Sequence, residues 1–203
     1  MFYSAVRGLA RLVLRALFDV RVSGREHLPR EGPYVICANH VSWWDPVLIA
    51  TSVPHQVFFM AKEELFRYPV LGWLLRMLGA FPVRRGTADR AAIRRSLEVL
   101  ERRGVLGVFP EGTRSRTGRL QEGQGGAAFI AMKANVPIVP MAVSSRYRVG
   151  GSCQLIIGKP FRFERGEGRA TAREEVEAAS LRIMGEIEGL MDERRTLSED
   201  KVG

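Results

Sequence analysis

The sequence predicts one α/β domain with a largely parallel central sheet flanked by helices. Short runs of β-branched and aromatic residues alternate with segments of helical periodicity, and that alternation is typical of layered α/β folds. The chain has 203 residues, of which 46% are hydrophobic and 26% charged, which is enough to form one substantial core. No spacer rich in glycine, serine or proline and no repeating period divides the chain.

The predicted elements follow one another along most of the chain. Strands are predicted at 34–37, 57–60, 80–83, 105–109, 138–143 and 154–157, and helices at 46–51, 65–78, 89–103, 126–134 and from 172 to about 194. Several polar and charged side chains stand where these strands end. Because open α/β sheets place ligand crevices at the carboxyl ends of their strands, we expect the functional site at that edge.

Residues 1–20 predict an amphipathic helix ahead of the main domain, residues 21–203. Arg7, Arg11 and Arg15 share one helical face, and another face carries an apolar row made of Phe2, Val6, Leu9, Val13 and Leu17. We expect this helix to lie in a bilayer interface with its arginines near anionic headgroups, or alternatively to pack as an ordinary surface helix.

The apolar stretch 68–78 is a second candidate for membrane contact, with core packing as its alternative. No run of about 20 apolar residues occurs, so we expect no membrane span.

The net charge of +9 comes almost wholly from arginine, since only four of the 31 basic residues are lysines. Arginine binds phosphate and carboxylate groups bidentately, so we expect an anionic partner, which is nucleic acid, anionic lipid or a phosphorylated metabolite. An arginine-rich composition or a heat-adapted surface is the alternative interpretation. The two cysteines, Cys37 and Cys153, lack the spacing of a zinc site, so neither a metal centre nor a disulfide framework is expected, and a reducing cytosolic setting fits best.

The first predicted strand is followed by a histidine and an aspartate five positions apart, His40 and Asp45. Pro46 favours a helix start directly after the aspartate, and the turn allows the carboxylate to accept the imidazole N–H and set the tautomer. The other ring nitrogen is then available to take a proton from a hydroxyl group. A lone histidine at a strand end is often structural, and these residues alone leave that alternative open.

The segment 39–46, Asn-His-Val-Ser-Trp-Trp-Asp-Pro, resembles the first motif of the glycerolipid acyltransferases, a family that includes bacterial 1-acylglycerol-3-phosphate acyltransferases. The resemblance implies that His40 is the general base and that Asp45 orients it. In that family the acceptor alcohol attacks the thioester directly, without a covalent acyl-enzyme. Ser42 is therefore not expected to act as a nucleophile.

Three further segments resemble the later motifs of the family, in the family's order, so that the resemblance covers roughly residues 32–159. Segment 79–85 ends in Arg85, which aligns with an arginine that contacts the acceptor's phosphate. Segment 108–116 contains a Pro-Glu-Gly-Thr-Arg turn, and the residues implied in phosphate binding there are Glu111, Gly112, Thr113 and Arg114. Lys62 is an outer candidate for the same role. Segment 136–141 resembles the last motif, an apolar strand between prolines.

The resemblance implies that acyl-CoA or acyl carrier protein donates a fatty-acyl group to the sn-2 hydroxyl of 1-acylglycerol-3-phosphate, giving phosphatidic acid for phospholipid biosynthesis. No cofactor and no metal are expected. The implied partners are lysophosphatidic acid, the acyl donor and an anionic membrane surface, with the protein peripheral or monotopic at the cytoplasmic face of the cell membrane. Nucleic acid is not expected, because the chain lacks a recognised nucleic-acid-binding motif.

Three residues depart from the family pattern. Arg84 replaces a commonly acidic residue, and Gly123 and Gln124 replace an aromatic–lysine pair. The missing lysine near the phosphate site favours another lysolipid or alcohol acceptor as the alternative substrate. Two other functional classes stay open: a lipid-binding protein without catalysis, and a thioester hydrolase that uses the same histidine and aspartate to activate water.

Overall fold

The computed structural model describes residues 2–84, 86, 89–145, 147–163 and 171–199. At its centre is a sheet with strands β1 Asp19–Ser23, β2 Tyr34–Ala38, β3 Val57–Lys62, β4 Phe81–Val83, β5 Val105–Val108, β6 Ile138–Ser145 and β7 Ser152–Ile157. Within these residues the strand order is β1-β7-β6-β2-β5-β3-β4. Neighbouring strands are parallel except for β6 and β7, which are antiparallel. The predicted α/β class with a largely parallel sheet is thus confirmed.

Helices cover both faces of the sheet. They are α1 Phe2–Leu17, α2 Asp45–Ser52, α3 Pro69–Met77, α4 Arg90–Glu101, α5 Gly126–Ala134 and α6 Ala172–Glu199. Two short 3-10 helices span Arg25–His27 and Glu63–Arg67. Among the residues described, no helix has the length and apolar character needed to cross a membrane.

Strand β2 lies in the middle of the sheet and separates two halves of the core. Val35 and Cys37 belong to the apolar cluster that includes residues of α4, α5 and α6, whereas Tyr34, Ile36 and Ala38 belong to the cluster that includes residues of α2. A strand buried on both faces has a continuous apolar sequence, which is why this strand could be predicted directly. Helix α6 packs into the first cluster and therefore onto the chain's own core.

Two elements differ from the sequence prediction. Strand β1 is not predicted, because its short sequence alternates between exposed and half-buried positions at an edge of the sheet. The helix predicted over 65–78 is instead divided, with a 3-10 helix ending at Arg67 and α3 beginning at Pro69. Between them Tyr68 has extended backbone angles, φ −81° and ψ 114°, because a following proline disfavours the helical conformation.

Helix α1 turns its apolar face outward. Leu9 and Leu12 are 63% and 67% exposed, whereas Leu14 on the opposite side is buried. The ring of Phe2 packs edge-on against Trp73 of α3, with centroids 6.0 Å apart, and joins the apolar faces of the two helices. We call this region the α1–α3 surface; its exposed residues are Phe2, Leu9, Leu12, Val13, Tyr68, Val70, Leu71, Trp73 and Met77.

The arginines of α1 are placed differently from the prediction that puts them at lipid headgroups. Arg7 and Arg11 donate to backbone carbonyl oxygens at the C-terminal end of α2, with Arg11 Nε 3.1 Å from the carbonyl oxygen of Thr51. Arg25, from the 3-10 helix Arg25–His27, donates to the same end of α2. The last carbonyls of a helix lack intrahelical partners and carry the negative end of its dipole, so they attract cationic donors. Only Arg15 of the three predicted arginines stays exposed. Helix α1 is therefore fastened to α2, the helix that begins at Asp45.

Candidate active site

The predicted pair of His40 and Asp45 comes together at the carboxyl end of β2. The strand ends at Ala38, the chain turns, and helix α2 begins at Asp45 itself. His40 Nδ1 lies 2.8 Å from Asp45 Oδ2. His40 is 5% exposed and Asp45 is 0% exposed, so the contact is shielded from solvent. The structure therefore brings together the two residues that the sequence predicts as base and orienting partner.

Several donors hold the Asp45 carboxylate. Besides His40, the backbone N–H groups of Val41 and Ser42 donate to Oδ2, each at 2.7 Å. The hydroxyl of Tyr147 donates to Oδ1 at 2.8 Å. Buried polar groups are normally paired in this way, and a carboxylate with donors on both oxygens has one preferred orientation. Tyr147 has no motif around it, and sequence reasoning missed it.

The carboxylate determines which nitrogen of His40 carries the proton. A carboxylate accepts hydrogen bonds, so Nδ1 is the protonated nitrogen and Nε2 keeps its lone pair. Within the described part of the chain, Nε2 has no hydrogen-bond partner, and the only polar ring contact of His40 is the one through Nδ1. Nε2 can therefore accept a proton from a hydroxyl group placed beside it.

Glu111 joins the turn after β5 to the histidine turn. The N–H of His40 donates to Oε1 at 2.7 Å, and the N–H of Gln121 donates to Oε2 at 3.0 Å. Burial raises the pKa of Glu111 above its usual value, although the N–H donors of His40 and Gln121 act in the opposite direction. Both oxygens accept from backbone donors, so Glu111 links the turn after β5 to the histidine turn, and its role as a phosphate ligand stays a prediction.

A second direct link joins the same two turns. The N–H of Ser115 donates to the carbonyl oxygen of His40 at 2.7 Å. Asn39 makes two hydrogen bonds to Val143 of β6, the neighbour of β2 on the side away from β5. Its side-chain N–H donates to the carbonyl oxygen of Val143 at 2.8 Å, and its side-chain oxygen accepts from the N–H of Val143 at 2.7 Å. The histidine turn is thus tied to β6 as well as to the turn after β5. Sequence reasoning gave Asn39 no role, although its place beside His40 was a usable signal.

The imidazole of His40 ends a stack of three rings. The ring of Phe109 lies 4.0 Å from it, with 17° between the planes, and Phe59 follows at 5.9 Å and 14°. Gly107 makes room for the stack, because a Cβ there would lie 2.3 Å from the Phe59 ring. This contact was also missed, and the available signal was a glycine inside a β-type run.

The Pro-Glu-Gly-Thr-Arg turn depends on its glycine. Gly112 has a φ of +68°, and a Cβ there would lie 2.6 Å from the amide nitrogen of Gln124. Gln124 is also tied to the turn through its N–H, which donates to the carbonyl oxygen of Pro110 at 2.8 Å. Thr113 is exposed in the same turn. The departure from the family pattern at Gln124 therefore borders the site directly.

The structure describes two of the three predicted basic residues, Arg114 and Lys62. The guanidinium carbon of Arg114 lies 4.1 Å above the ring of Trp43, which is 59% exposed. Lys62 ends β3 and pairs with Glu64, with 3.1 Å between Nζ and Oε1. Arg85 lies outside the described residues. The structure thus places Arg114 beside the histidine turn and Lys62 at the same edge of the sheet, in a surface ion pair.

Comparison with known proteins identifies the family. The sequence profile of the Acyltransferase family matches residues 19–144, more than half of the chain. A 1-acyl-sn-glycerol-3-phosphate acyltransferase from Streptococcus pneumoniae is 32% identical over 99% of this chain and 77% of its own length. The chain belongs to the glycerolipid acyltransferase family.

Other members of this family extend the comparison. The crystal structure of a 1-acyl-sn-glycerophosphate (LPA) acyltransferase from Thermotoga maritima superposes with a TM-score of 0.73 at 28% identity, covering 93% of this chain and 79% of that chain. A lyso-ornithine lipid O-acyltransferase from Pseudomonas aeruginosa is 39% identical over 68% of this chain and 52% of its own length. The resemblance stated from the motifs is therefore confirmed.

This acyltransferase has a cavity of about 510 Å³ next to the ring stack. Phe109 stacks on His40 and also lines the cavity, so one ring separates the cavity from the histidine. Arg84, Asp89 and Gln124 supply its polar side chains. The apolar side chains that line it are Met60, Val83, Ala92, Ile93, Val108, Phe109, Pro110, Ala127 and Ile130. A mostly apolar cavity with a few polar groups has the character of a small-molecule site.

Proposed function

We propose that this acyltransferase moves a fatty-acyl group from acyl-CoA or acyl carrier protein to the sn-2 hydroxyl of 1-acylglycerol-3-phosphate, giving phosphatidic acid. The observation that carries the proposal is the buried pair of His40 and Asp45, in which Nε2 remains available for a substrate proton. The relatives from Streptococcus pneumoniae and Thermotoga maritima, both named for this type of acceptor, support it. A lipid-binding protein without catalysis would leave the pair without a role.

The reaction needs no covalent acyl-enzyme. The acceptor oxygen adds to the thioester carbonyl carbon while its proton moves to His40 Nε2, and a C–O bond forms. The tetrahedral intermediate then collapses, the C–S bond breaks, and the sulfur leaves as a thiol with the proton that His40 returns. General-base catalysis of this kind is worth roughly 10²–10⁴-fold in rate. Both reactants bring their own functional groups, so the proposed reaction requires no cofactor and no metal.

The acceptor's phosphate is proposed to bind beside Arg114 and Lys62, at the edge of the sheet that carries the histidine turn. Arg114 offers a planar pair of donors that matches a phosphate group, and Lys62 adds a second positive charge at the same edge of the sheet. Arg85 is a further proposed ligand. Thr113 contributes an exposed hydroxyl, and Gly112 gives the turn the shape that presents both Thr113 and Arg114. Bound in this way, the phosphate positions the free hydroxyl beside His40.

The acyl chain is proposed to enter the cavity next to Phe109. The cavity volume of about 510 Å³ lies within the range of about 300–1,000 Å³ usual for small-molecule sites. Its lining is mainly apolar, as an acyl chain requires. Since Phe109 contacts both the cavity and His40, a chain in the cavity would bring its thioester carbonyl close to the base.

A second acceptor class has a specific observation in its favour. The Pseudomonas aeruginosa lyso-ornithine lipid O-acyltransferase is 39% identical over 68% of this chain, and the Streptococcus pneumoniae relative is 32% identical over 99% of it. Gln124, a neutral amide, stands against the Pro-Glu-Gly-Thr-Arg turn where a lysine would add positive charge. An acceptor headgroup with a carboxylate and an ammonium group, such as that of a lyso-ornithine lipid, suits such a site.

The test is an acyl-transfer assay with labelled acyl-CoA and, separately, labelled acyl carrier protein in detergent micelles. Lysophosphatidic acid, a lyso-ornithine lipid and no acceptor are compared. Acyl transfer to lysophosphatidic acid that disappears in His40→Ala supports the proposal. His27→Ala is the matched control, since the His27 ring pairs with the backbone carbonyl oxygen of Ile157 at 2.8 Å, away from the site. Preference for the lyso-ornithine lipid selects the second acceptor. Free fatty acid released without any acceptor would make the protein a hydrolase.

The α1–α3 surface is proposed to dock on an anionic membrane surface, as a peripheral or monotopic protein at the cytoplasmic face. A contiguous row of exposed apolar side chains on two joined helices is typical of an interfacial contact. Exposed Arg15 lies on the same helix and offers a charge to anionic headgroups. Because α1 is fastened to α2, docking would hold the active site at a fixed distance from the lipid acceptor.

Vesicle co-sedimentation tests this contact. Phosphatidylcholine vesicles with and without phosphatidylglycerol are mixed with wild-type protein, Leu12→Asp and the control Leu181→Asp. Leu12 and Leu181 are exposed to nearly the same degree, 67% and 69%, but Leu181 lies on α6, away from the surface. Loss of binding in Leu12→Asp alone is expected. Equal binding of both variants would disprove the docking surface without affecting the assignment of the reaction.

A further inference from the structure

We propose that Tyr147 is a positioning residue of the reaction, whose hydroxyl sets the orientation of Asp45 and, through it, of the base His40. Tyr147 lies between β6 and β7, beyond residue 144, where the match to the family profile ends. The inference rests on the proposed function of the histidine–aspartate pair. It is carried by the contacts of one carboxylate oxygen.

The two oxygens of Asp45 have different surroundings. Oδ2 accepts from His40 Nδ1 and from two backbone N–H groups of its own turn. Oδ1 accepts from the Tyr147 hydroxyl at 2.8 Å, and among the described residues no other donor reaches it. Asp45 is 0% exposed, so bulk solvent does not reach the carboxylate in the folded protein. Without the hydroxyl, Oδ1 would be a buried acceptor with no partner, and the carboxylate would gain by turning Oδ1 toward the donors that Oδ2 now holds.

The ring of Tyr147 is held independently of its hydroxyl. It packs edge-on against Phe18, with centroids 5.4 Å apart and 80° between the planes. Phe18 packs in the same manner against Trp44, at 5.7 Å and 72°. Phe18 follows α1 directly and Trp44 precedes α2, so the ring sits where the two helices meet. A Tyr147→Phe change therefore removes one donor and keeps the packing.

The hydroxyl affects the base through the carboxylate. A carboxylate that loses a donor concentrates its charge on its remaining contacts and holds the imidazole proton more firmly. Among the described residues, the titratable groups in contact with His40 are Asp45, at the His40 ring, and Glu111, at the His40 backbone N–H. Removal of the Tyr147 hydroxyl alters the contact through Asp45 and leaves the contacts of Glu111 in place. Loss of the hydroxyl should thus move the pH profile of the reaction as well as slow it.

The experiment compares full-length Tyr147→Phe and wild type in the acyl-transfer assay. We expect kcat to fall about 10- to 100-fold, the loss that corresponds to one hydrogen bond to a charged group. KM for donor and acceptor should stay unchanged, and the acidic limb of the kcat/KM profile should move to higher pH. Fluorotyrosine at position 147 keeps the ring and strengthens the donor, so it should move the limb in the opposite direction and provides a variant that preserves the fold.

Tyr34→Phe is the matched control. Tyr34 is fully buried, and its hydroxyl lies 3.0 Å from His55 Nδ1 at the other end of β2. Tyr34→Phe thus removes a part-buried hydrogen bond between a tyrosine and another side chain, away from the site. We expect wild-type kcat and an unmoved pH profile for Tyr34→Phe. Wild-type kinetics in Tyr147→Phe, or the same change in both variants, would overturn the proposal.

A readout without turnover separates this proposal from the proposed function. The chain has three histidines, so the low-field proton resonance of the His40 Nδ1–H can be assigned by its loss in His40→Ala. That resonance should shift in Tyr147→Phe and not in Tyr34→Phe. If wild type transfers no acyl group but the resonance still shifts in Tyr147→Phe, the proposed reaction is rejected and the positioning role is kept. An unshifted resonance would reject the positioning role.

Discussion

The two halves of the site are built in opposite ways. In the base half, His40, Asp45 and Glu111 are no more than 5% exposed and are connected by short hydrogen bonds to backbone and side-chain groups. In the cationic half, Arg114 stacks on a largely exposed Trp43, and Lys62 shares an exposed ion pair with Glu64. Exposed ion pairs hold a side chain only weakly. The base is therefore held in place by the protein's own contacts, whereas we expect the basic side chains to become ordered only when substrate binds.

The largest effect is expected from Asp45→Asn, in the base half. An asparagine can present N–H groups to His40 Nδ1, which favours the wrong tautomer, so kcat should fall about 10²–10⁴-fold. Steady-state acyl-transfer kinetics measure the loss. Asp19→Asn, which removes a charge from an exposed ion pair with Arg21, is the control and should behave as wild type. A kcat near wild type in Asp45→Asn would mean that the base half supports the fold and takes no part in the reaction.

Glu111→Gln should have the next largest effect, on stability as well as on kcat. Its amide N–H₂ would face a backbone N–H donor, so the free energy of unfolding should fall by about 1–3 kcal/mol. Because burial raises the pKa of Glu111, the stabilisation from its carboxyl group is present below the unfolded-state pKa and is lost as the pH rises through the raised folded-state pKa. Urea unfolding from acidic to neutral pH should show the advantage of wild type shrinking with rising pH. A difference that grows with pH would contradict the assignment.

Arg114→Ala should separate the two halves kinetically. Loss of a bidentate donor to phosphate is expected to raise KM for lysophosphatidic acid about tenfold, with a smaller change in kcat. Lys62→Ala should raise KM less, since Lys62 already pairs with Glu64. Arg116→Ala, an exposed arginine two positions further, is the control. If Arg114→Ala lowers kcat without changing KM, the cationic half is as preorganised as the base half.

Arg11→Ala tests whether α1 supports the base half from the far end of α2. Removing its donors from the carbonyl oxygen of Thr51 should lower the free energy of unfolding by about 1 kcal/mol. Arg15→Ala is the matched control, because Arg15 is exposed on the same helix. Thermal unfolding of both variants measures the difference. Equal melting temperatures would show that this contact does not stabilise the packing of α1 against α2.

The smallest effect is expected outside both halves, at the start of α4. Asp89 accepts N–H bonds from Ala91 and Ala92 at 3.0 and 3.1 Å, and its pKa is lowered by the N–H of Arg84 first and by that of Ala92 next. A lowered pKa adds stability above the unfolded-state pKa, and that stability is lost as the pH falls through the folded-state pKa. Asp89→Asn should thus be less stable than wild type at neutral pH, by about 0.3–1 kcal/mol before screening by salt, and equal to it in acid. A difference that is the same at every pH would contradict the charge effect.

Much of the fold could be predicted because its signals are local. The central strands are buried on both faces and read as apolar runs, as β2 does, and the pair of His40 and Asp45 lies within one turn of five positions. The contacts that were missed join distant parts of the chain. Glu111 bonds to a residue 71 positions away, and Tyr147 bonds to one 102 positions away. No periodicity or spacing reports such contacts, because they depend on which strands become neighbours.

Helix α1 shows most clearly which features the sequence determines and which the tertiary structure determines. The sequence by itself determined that this segment is a helix with an arginine face and an apolar face, because helical geometry places residues three and four positions apart on one side. Only the tertiary structure decided which face is turned inward. The carbonyl oxygens at the C-terminal end of α2 need donors, and Arg7 and Arg11 supply them, so the apolar face is left on the outside. An amphipathic pattern defines two faces, but the partner of each face depends on the surface that the rest of the chain presents to it.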